Sequence, residues 1–295
     1  MNRKKWILTV FLCSMMLLCG CNTSSKEQIP EYEGYHLLWH DEFSGEELDT
    51  TIWTREFRLR GASNAERQEY TLSADNSYIE DGKLVLRAIK EAMENGGIAY
   101  TSGKVNTEGK QDFMYGRIEV CAKVPQGQGL WPAIWLLPSD GSEYGTWPTS
   151  GEIDIMELLG HDPATVYSTV HFGAPHMQPQ GIYTLSEGTF ADDFHVYALD
   201  WEPEVMRFYV DGNLIFELDQ WFCSFNGIDW LDFPAPFDQK FYLQLNLAVG
   251  GTWPGNPDET TDFENATFEI DYVRVYQKDE YAGVTKGSET TDTDN

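Results

Sequence analysis

The sequence predicts an all-β sandwich of antiparallel strands, on three observations. Short runs rich in Val, Ile, Tyr and Phe recur between Gly, Asp-Gly and Pro separators. Two of those separators read as hairpin turns. From Gly34 to Tyr276 no long segment carries the apolar spacing of a helix, no internal repeat occurs and the composition does not break, so one domain is expected.

In chain order, Ser77 to Glu80, Asp81-Gly82 and Lys83 to Ile89 form the first hairpin, because Asp-Gly suits the tight turn between twisted strands. Gly116 to Val124 alternates, with Ile118, Val120, Ala122 and Val124 on one face. Ala133 to Leu137, Glu152 to Leu158, Thr165 to Phe172 and His195 to Trp201 follow as strands. Arg207 to Val210, Asp211-Gly212 and Leu214 to Leu218 make the second hairpin, and Phe241 to Val249 and Thr267 to Tyr276 complete the set. About a dozen short strands in a domain of this length fit two stacked antiparallel sheets.

The ends read differently. Arg3, Lys4 and Lys5 precede an uncharged apolar run, Trp6 to Leu18, too short for a permanent span, so residues 1–20 are expected to be a secretion signal. The run closes on Leu18-Cys19-Gly20-Cys21, which resembles the bacterial lipobox and makes Cys21 the expected lipidated N-terminus; an ordinary cleaved signal is the alternative. Residues 21–33 are then a polar tether, 34–277 the domain and 278–295 an acidic, flexible tail. The expected location is a bacterial cell envelope, at the outer membrane or cell surface, with the membrane touched only through the lipid. Two cysteines remain in the domain, which excludes a disulfide framework; Cys121 reads as a packing residue.

The 20 Lys and Arg against 48 Asp and Glu give a formal charge of −28, which falls to −31 once the three cations of the signal are gone. Such a field excludes nucleic acid and repels polyanions, leaving a neutral partner. Ten Trp, fifteen Tyr and sixteen Phe exceed what one core needs and supply rings for recognition.

The most informative segment is Gly151-Glu152-Ile153-Asp154-Ile155-Met156-Glu157. On a regular strand Glu152 and Asp154 share one face and Ile153 and Ile155 the other, which leaves Glu157 out of phase and pointing among the isoleucines. Burying a carboxylate there is prohibitive. A one-residue bulge at Ile155-Met156 would return Glu157 to the face of the other two acids, about 13 Å along the strand from Glu152 at roughly 3.3 Å per residue. Glutamates leaning toward each other across that gap can approach the spacing of a retaining glycosidase, with Asp154 between them setting which carboxyl holds the proton. The segment alone also admits a calcium site or a charged solvent face.

Trp131, Trp135 and Trp147 lie just upstream, in Leu130-Trp131-Pro132-Ala133-Ile134-Trp135 and Trp147-Pro148. Here the sequence resembles glycoside hydrolase family 16, the concanavalin-like β-jelly rolls that include laminarinases and related endo-β-glucanases, with a substrate cleft on the concave face. Matching segments span nearly the whole domain: Asp41-Glu42-Phe43, Asn64 to Tyr70, Tyr115-Gly116-Arg117, the acidic motif, Thr169 to Gly173, Leu199-Asp200-Trp201, Leu245 to Pro254 and Ile270 to Tyr276.

The resemblance implies Glu152 as nucleophile, Asp154 as its assisting carboxylate and Glu157 as general acid and then base. It implies that Trp131, Trp135, Trp147 and Trp253 line sugar subsites, and that Asn64, His171 and Asn246 supply hydrogen bonds. Trp135 and Asn246 can also be read as core or ladder residues, and His171 as a buried, satisfied histidine. No role is assigned to His36, His40, His161, His176 or His195, none of which has metal-ligand spacing. Members of the family often hold a structural calcium at positions matching Glu42, the carbonyl of Gly82 and Asp271, though Glu42 and Asp271 can equally pair with arginines. No organic cofactor is implied, and a monomer is expected.

The spacing Glu-x-Asp-x-x-Glu resembles the laminarinase branch, although agarases and other galactan-cleaving members share it. Lys104 stands where many laminarinases carry Arg, which loses a bidentate fork. The aromatic segment Trp221 to Asp238 is expected to form a cleft-side loop that either extends the sugar platform or packs upon itself. The expected activity is retaining, internal cleavage of β-1,3-containing glucans, laminarin or mixed-linkage β-1,3-1,4-glucan. The alternatives are a non-hydrolytic glycan-binding lectin on the same fold and an agarase or galactanase specificity.

Overall fold

The computed structural model describes residues 29–225 and 229–281. The expected signal 1–20, Cys21, most of the tether and most of the acidic tail lie outside the described residues.

Every regular element among the described residues is a strand, and two antiparallel sheets stack into the β-jelly roll. The eight-stranded sheet runs Asn213–Leu218, Val205–Val210, His195–Glu202, Gly116–Lys123, Thr267–Gln277, Lys83–Arg87 and Ser77–Glu80, with His36–Asp41 also paired to Thr267–Gln277. The seven-stranded sheet runs Gln180–Thr184, Thr165–His171, Glu152–Leu158, Leu130–Pro138, Phe241–Val249, Lys104–Asn106 and Thr54–Arg55. Two-residue periodicity divides each strand between core and outer face. In Phe241–Val249, for example, Phe241, Leu243, Leu245, Leu247 and Val249 are wholly buried against the other sheet. Trp53, Trp201, Phe208 and Phe268 fill the same core. Each large side chain so buried contributes about 1.5–3 kcal/mol from area removed from water, which is what holds two otherwise separate sheets together.

Both Asp-Gly hairpins form, with Asp81 and Asp211 at φ 50° and 49° and Gly82 and Gly212 at φ 72° and 76°. The left-handed pair is what the tight turn requires. The strand read as Ala133 to Leu137 extends from Leu130 to Pro138. Pro132 is tolerated there because pairing on the Glu152–Leu158 side begins only at Ala133, so the missing N–H has no ladder bond to lose.

At the start of the domain the Tyr32 hydroxyl donates to Glu119 Oε1 at 2.6 Å and its ring meets Tyr276 edge-on. At the end Tyr281 packs against Tyr115. Cys121 and Cys223 are both buried free thiols. Among the described residues of the 221–238 segment, buried Trp221 packs on Phe233 and Phe237 and Phe222 on Trp230, while Phe222 also meets Phe172 edge-on and Trp230 and Phe233 remain exposed.

Candidate active site

The site lies on the outer face of the seven-stranded sheet. Alternation along Leu130–Pro138 turns Trp131, Ala133, Trp135 and Leu137 into the cleft, while the neighbouring strand turns Asn246 and Ala248 the same way. On the other side Glu152, Asp154 and Glu157 all line it. The bulge that makes this possible is present. Asp154 pairs with Thr169 and Glu157 with Tyr167, so three steps on the acidic strand match two on its partner, and Ile153, Ile155 and Met156 all go to the core.

Each acid is held differently. Trp131 donates its indole N–H to Glu157 Oε1 at 3.1 Å. Asp154 is buried, with His171 Nε2 3.2 Å from its Oδ2 and no well-aligned hydrogen bond to that oxygen. Glu152 sits beside it, its Oε1 3.9 Å from the same ring nitrogen. Burial first, then the charge of Asp154, pushes Glu152 up to about 8. Burial pushes Asp154 up to about 8 as well. Burial, with Asp154 and Glu152 adding their repulsion, holds Glu157 well above the usual carboxylate range. Three acids on one buried strand cannot all ionise near neutral pH, so Glu157 keeps its proton and the Glu152–Asp154 pair shares another. One ionised carboxylate and one protonated carboxyl on a single face are the equipment of an acid–base and nucleophilic pair.

The aromatic residues separate into two roles. Trp131, Trp135 and Trp147 line the cleft, and Trp147 keeps 52% of its surface exposed. Trp253 stands next to Trp131, its ring edge-on to that indole at 5.4 Å and against Tyr167 at 5.0 Å, bracing the indole that holds Glu157. His171 stands beside the acids, directly opposite Glu152 on the neighbouring strand and on the same face. Asn64, exposed and left-handed at φ 49°, lines the cleft edge, and its carbonyl accepts from Thr252 N–H at 2.8 Å. Gly251 lets that segment approach, because a Cβ there would come within 2.9 Å of the Asn64 carbonyl oxygen. Asn246 accepts from the Trp135 indole at 2.6 Å and donates to the Tyr70 hydroxyl at 3.0 Å.

Beneath Trp135 runs a charged network that the sequence pattern did not disclose. Lys104 is 1% exposed, bonded to Glu56 Oε2 at 3.0 Å, with its ammonium 4.8 Å from the Trp135 ring centre. Arg58 and Asn106 reach the same Glu56 carboxylate at 3.0 and 3.2 Å. Burial lowers the Lys104 pKa while Glu56 opposes that. The partners lie 48 residues apart in the chain, and no local spacing signals their meeting.

The positions expected for calcium flank one another. Asp41 pairs with Val273 and Leu84 with Ile270 on the same strand, so Glu42 and Gly82 both approach Asp271. The Glu42 carboxylate, however, accepts two hydrogen bonds from Arg274 at 2.8 and 2.9 Å, the arginine pairing weighed as the alternative.

The model of the family described as glycosyl hydrolases family 16 matches residues 62–274. A glucan endo-1,3-beta-glucosidase A1 of Niallia circulans is 42% identical over 270 residues, covering 84% of this chain and 39% of that protein's length. A beta-glucanase of Rhodothermus marinus is 38% identical over 275 residues, covering 91% of this chain and 94% of that protein. Among solved structures, the laminarinase catalytic domain of Thermotoga maritima superposes with a TM-score of 0.72 at 39% identity, covering 84% of this chain and all of that one.

Proposed function

The chain belongs to the glycosyl hydrolases of family 16, and on that premise we propose that it is a retaining endo-β-glucanase that cleaves internal bonds of β-1,3-containing glucans, laminarin or mixed-linkage β-1,3-1,4-glucan. The observation that carries the reading is the bulged strand that sets Glu152, Asp154 and Glu157 on one cleft face beside Trp131 and Trp135. In the first step Glu152 attacks the anomeric carbon while Glu157 gives its proton to the departing glycosidic oxygen, leaving a covalent glycosyl-enzyme. In the second, Glu157, now ionised, takes a proton from water, which attacks the anomeric carbon and releases Glu152. Asp154 keeps the shared proton off Glu152 when it must attack. The indole faces grip the apolar faces of pyranose rings, and the acidic surface keeps sulfated galactans away.

Reducing-end release from laminarin and from barley mixed-linkage glucan tests the reading. A ladder of oligosaccharides is expected; binding without release would support the lectin instead, and release only from agarose the galactan specificity. The same reading places the enzyme on a bacterial envelope through lipid on Cys21, as a monomer without an organic cofactor. An acyl-blocked N-terminus in protein taken from native membranes is the expected result, and an N-terminus open to sequencing would remove the anchor.

A further inference from the structure

His176 carries no signal in the sequence, yet it is the second imidazole of the site. The chain leaves the strand Thr165–His171, turns at Gly173 with φ 76°, and returns so that Phe172 and Met177 exchange backbone hydrogen bonds at 3.1 and 2.9 Å. Gly173 is required, since a Cβ would press to 2.5 Å from the Phe222 ring. This turn lays His176 on His171, with Nε2 2.9 Å from His171 Nδ1. The two rings stack at 5.2 Å, and Trp147 covers His176 at 4.9 Å.

Among the described residues, the other nitrogen of His171 faces the carboxyl groups of Asp154 at 3.2 Å and Glu152 at 3.9 Å. Of that pair one acid is ionised, and a lone pair at Nε2 would repel it, so Nε2 carries the hydrogen and Nδ1 of the neutral ring accepts one. Among the described residues the polar partner against Nδ1 is His176 Nε2 at 2.9 Å, which then has to be the donor. We propose that His176 is a positioning residue that locks His171 in its Nε2–H tautomer and so keeps a donor turned toward the Glu152–Asp154 pair. The proposal rests on the hydrolytic reading for its kinetic consequence but not for its structural one. Without the His176 donor, the His171 proton is free to move to Nδ1, and the buried Asp154 Oδ2, which has no well-aligned partner of its own, faces a lone pair.

Two variants separate the hydrogen bond from the stack. His176→Phe keeps a ring under Trp147 and removes the donor; His176→Gln restores an N–H without the ring. On laminarin, His176→Phe is expected to lower kcat by roughly tenfold to a hundredfold with KM near the wild-type value, the size of loss seen when the partner that orients a metal-binding histidine is removed, and His176→Gln to recover most of the loss. Long-range 15N–1H NMR of the full domain reads the tautomer directly. His171 should be Nε2–H in the wild type and shift toward Nδ1–H in His176→Phe. An unchanged tautomer, or a raised KM at constant kcat, would overturn the proposal. A wild type that cleaves no glucan but shows the tautomer shift would leave the lock standing and remove the proposed function.

Discussion

Asp154→Asn removes one of two adjacent charges from the floor of the cleft, and the expected consequence is that Glu152 ionises more easily. The nearest polar atoms of Glu152, Asp154 and His171 lie within 4.8 Å of one another. Two unit charges at that separation repel by about 3.5 kcal/mol at an effective dielectric near 20. Burial, the larger cause of the elevation, is untouched, and Asp154 itself holds a proton over part of the range. The drop for Glu152 should therefore be about one to two pKa units, each worth about 1.4 kcal/mol. Stability follows with a definite sign. The folded value of Glu152, about 8, lies above its ordinary 4.5, so its contribution to stability is complete below about 4.5 and is lost as pH rises through about 8. The wild-type protein should lose thermal stability between about pH 5 and about pH 8.5, and Asp154→Asn should lose less over the same interval. A 13C NMR titration of the Glu152 carboxyl, with thermal unfolding at both pH values, measures the two effects. A Glu152 that titrates unchanged, or a variant whose midpoint falls more steeply than the wild type's, would refute the repulsion argument.

Two further substitutions probe separate parts of the molecule. Glu157→Gln should cut kcat/KM on laminarin by about a hundredfold to ten-thousandfold, the usual weight of a general acid–base, and on an aryl β-glucoside whose leaving group needs no proton, added azide should restore turnover with formation of a glycosyl azide; unaffected turnover on laminarin would remove Glu157 from the mechanism. Arg274→Met breaks the pair that ties the strand His36–Asp41 to the last strand, where the Arg274 and Glu42 side chains are only 4% and 15% exposed; losing one partner of a buried pair costs about 3 kcal/mol or more, which a lowered unfolding midpoint would register and an unchanged one would contradict. Repeating that measurement with a chelator asks whether calcium at Asp271 and the Gly82 carbonyl adds to the clasp: a fall in the midpoint supports the ion, and no fall removes it.

The strands whose cores alternate cleanly were legible from the chain alone. Glu152–Leu158 and Phe241–Val249 begin and end where their patterns do, and the misfit of Glu157 among isoleucines was enough to locate a bulge. His36–Asp41 was not legible, because Leu37 and Leu38 point outward and its place is fixed by pairing with Thr267–Gln277, more than two hundred residues away. The same limit hid the floor of the site. Lys104 and Glu56 meet only because the sheet brings their strands together, and His176 reaches His171 through a turn whose geometry depends on Phe222 lying behind Gly173. Trp253 shows the converse: its neighbourhood was legible, but whether it faces the sugar or braces Trp131 depends on ring orientation, which sequence does not encode locally.

The central claim is that Glu152 attacks the sugar and Glu157 serves first as acid and then as base, and the anomer first formed during hydrolysis tests it most directly. Proton NMR during the early minutes of laminarin cleavage should show new reducing ends appearing as the β anomer and only later equilibrating to α. New ends appearing first as α would mean a single displacement by water and would contradict the account.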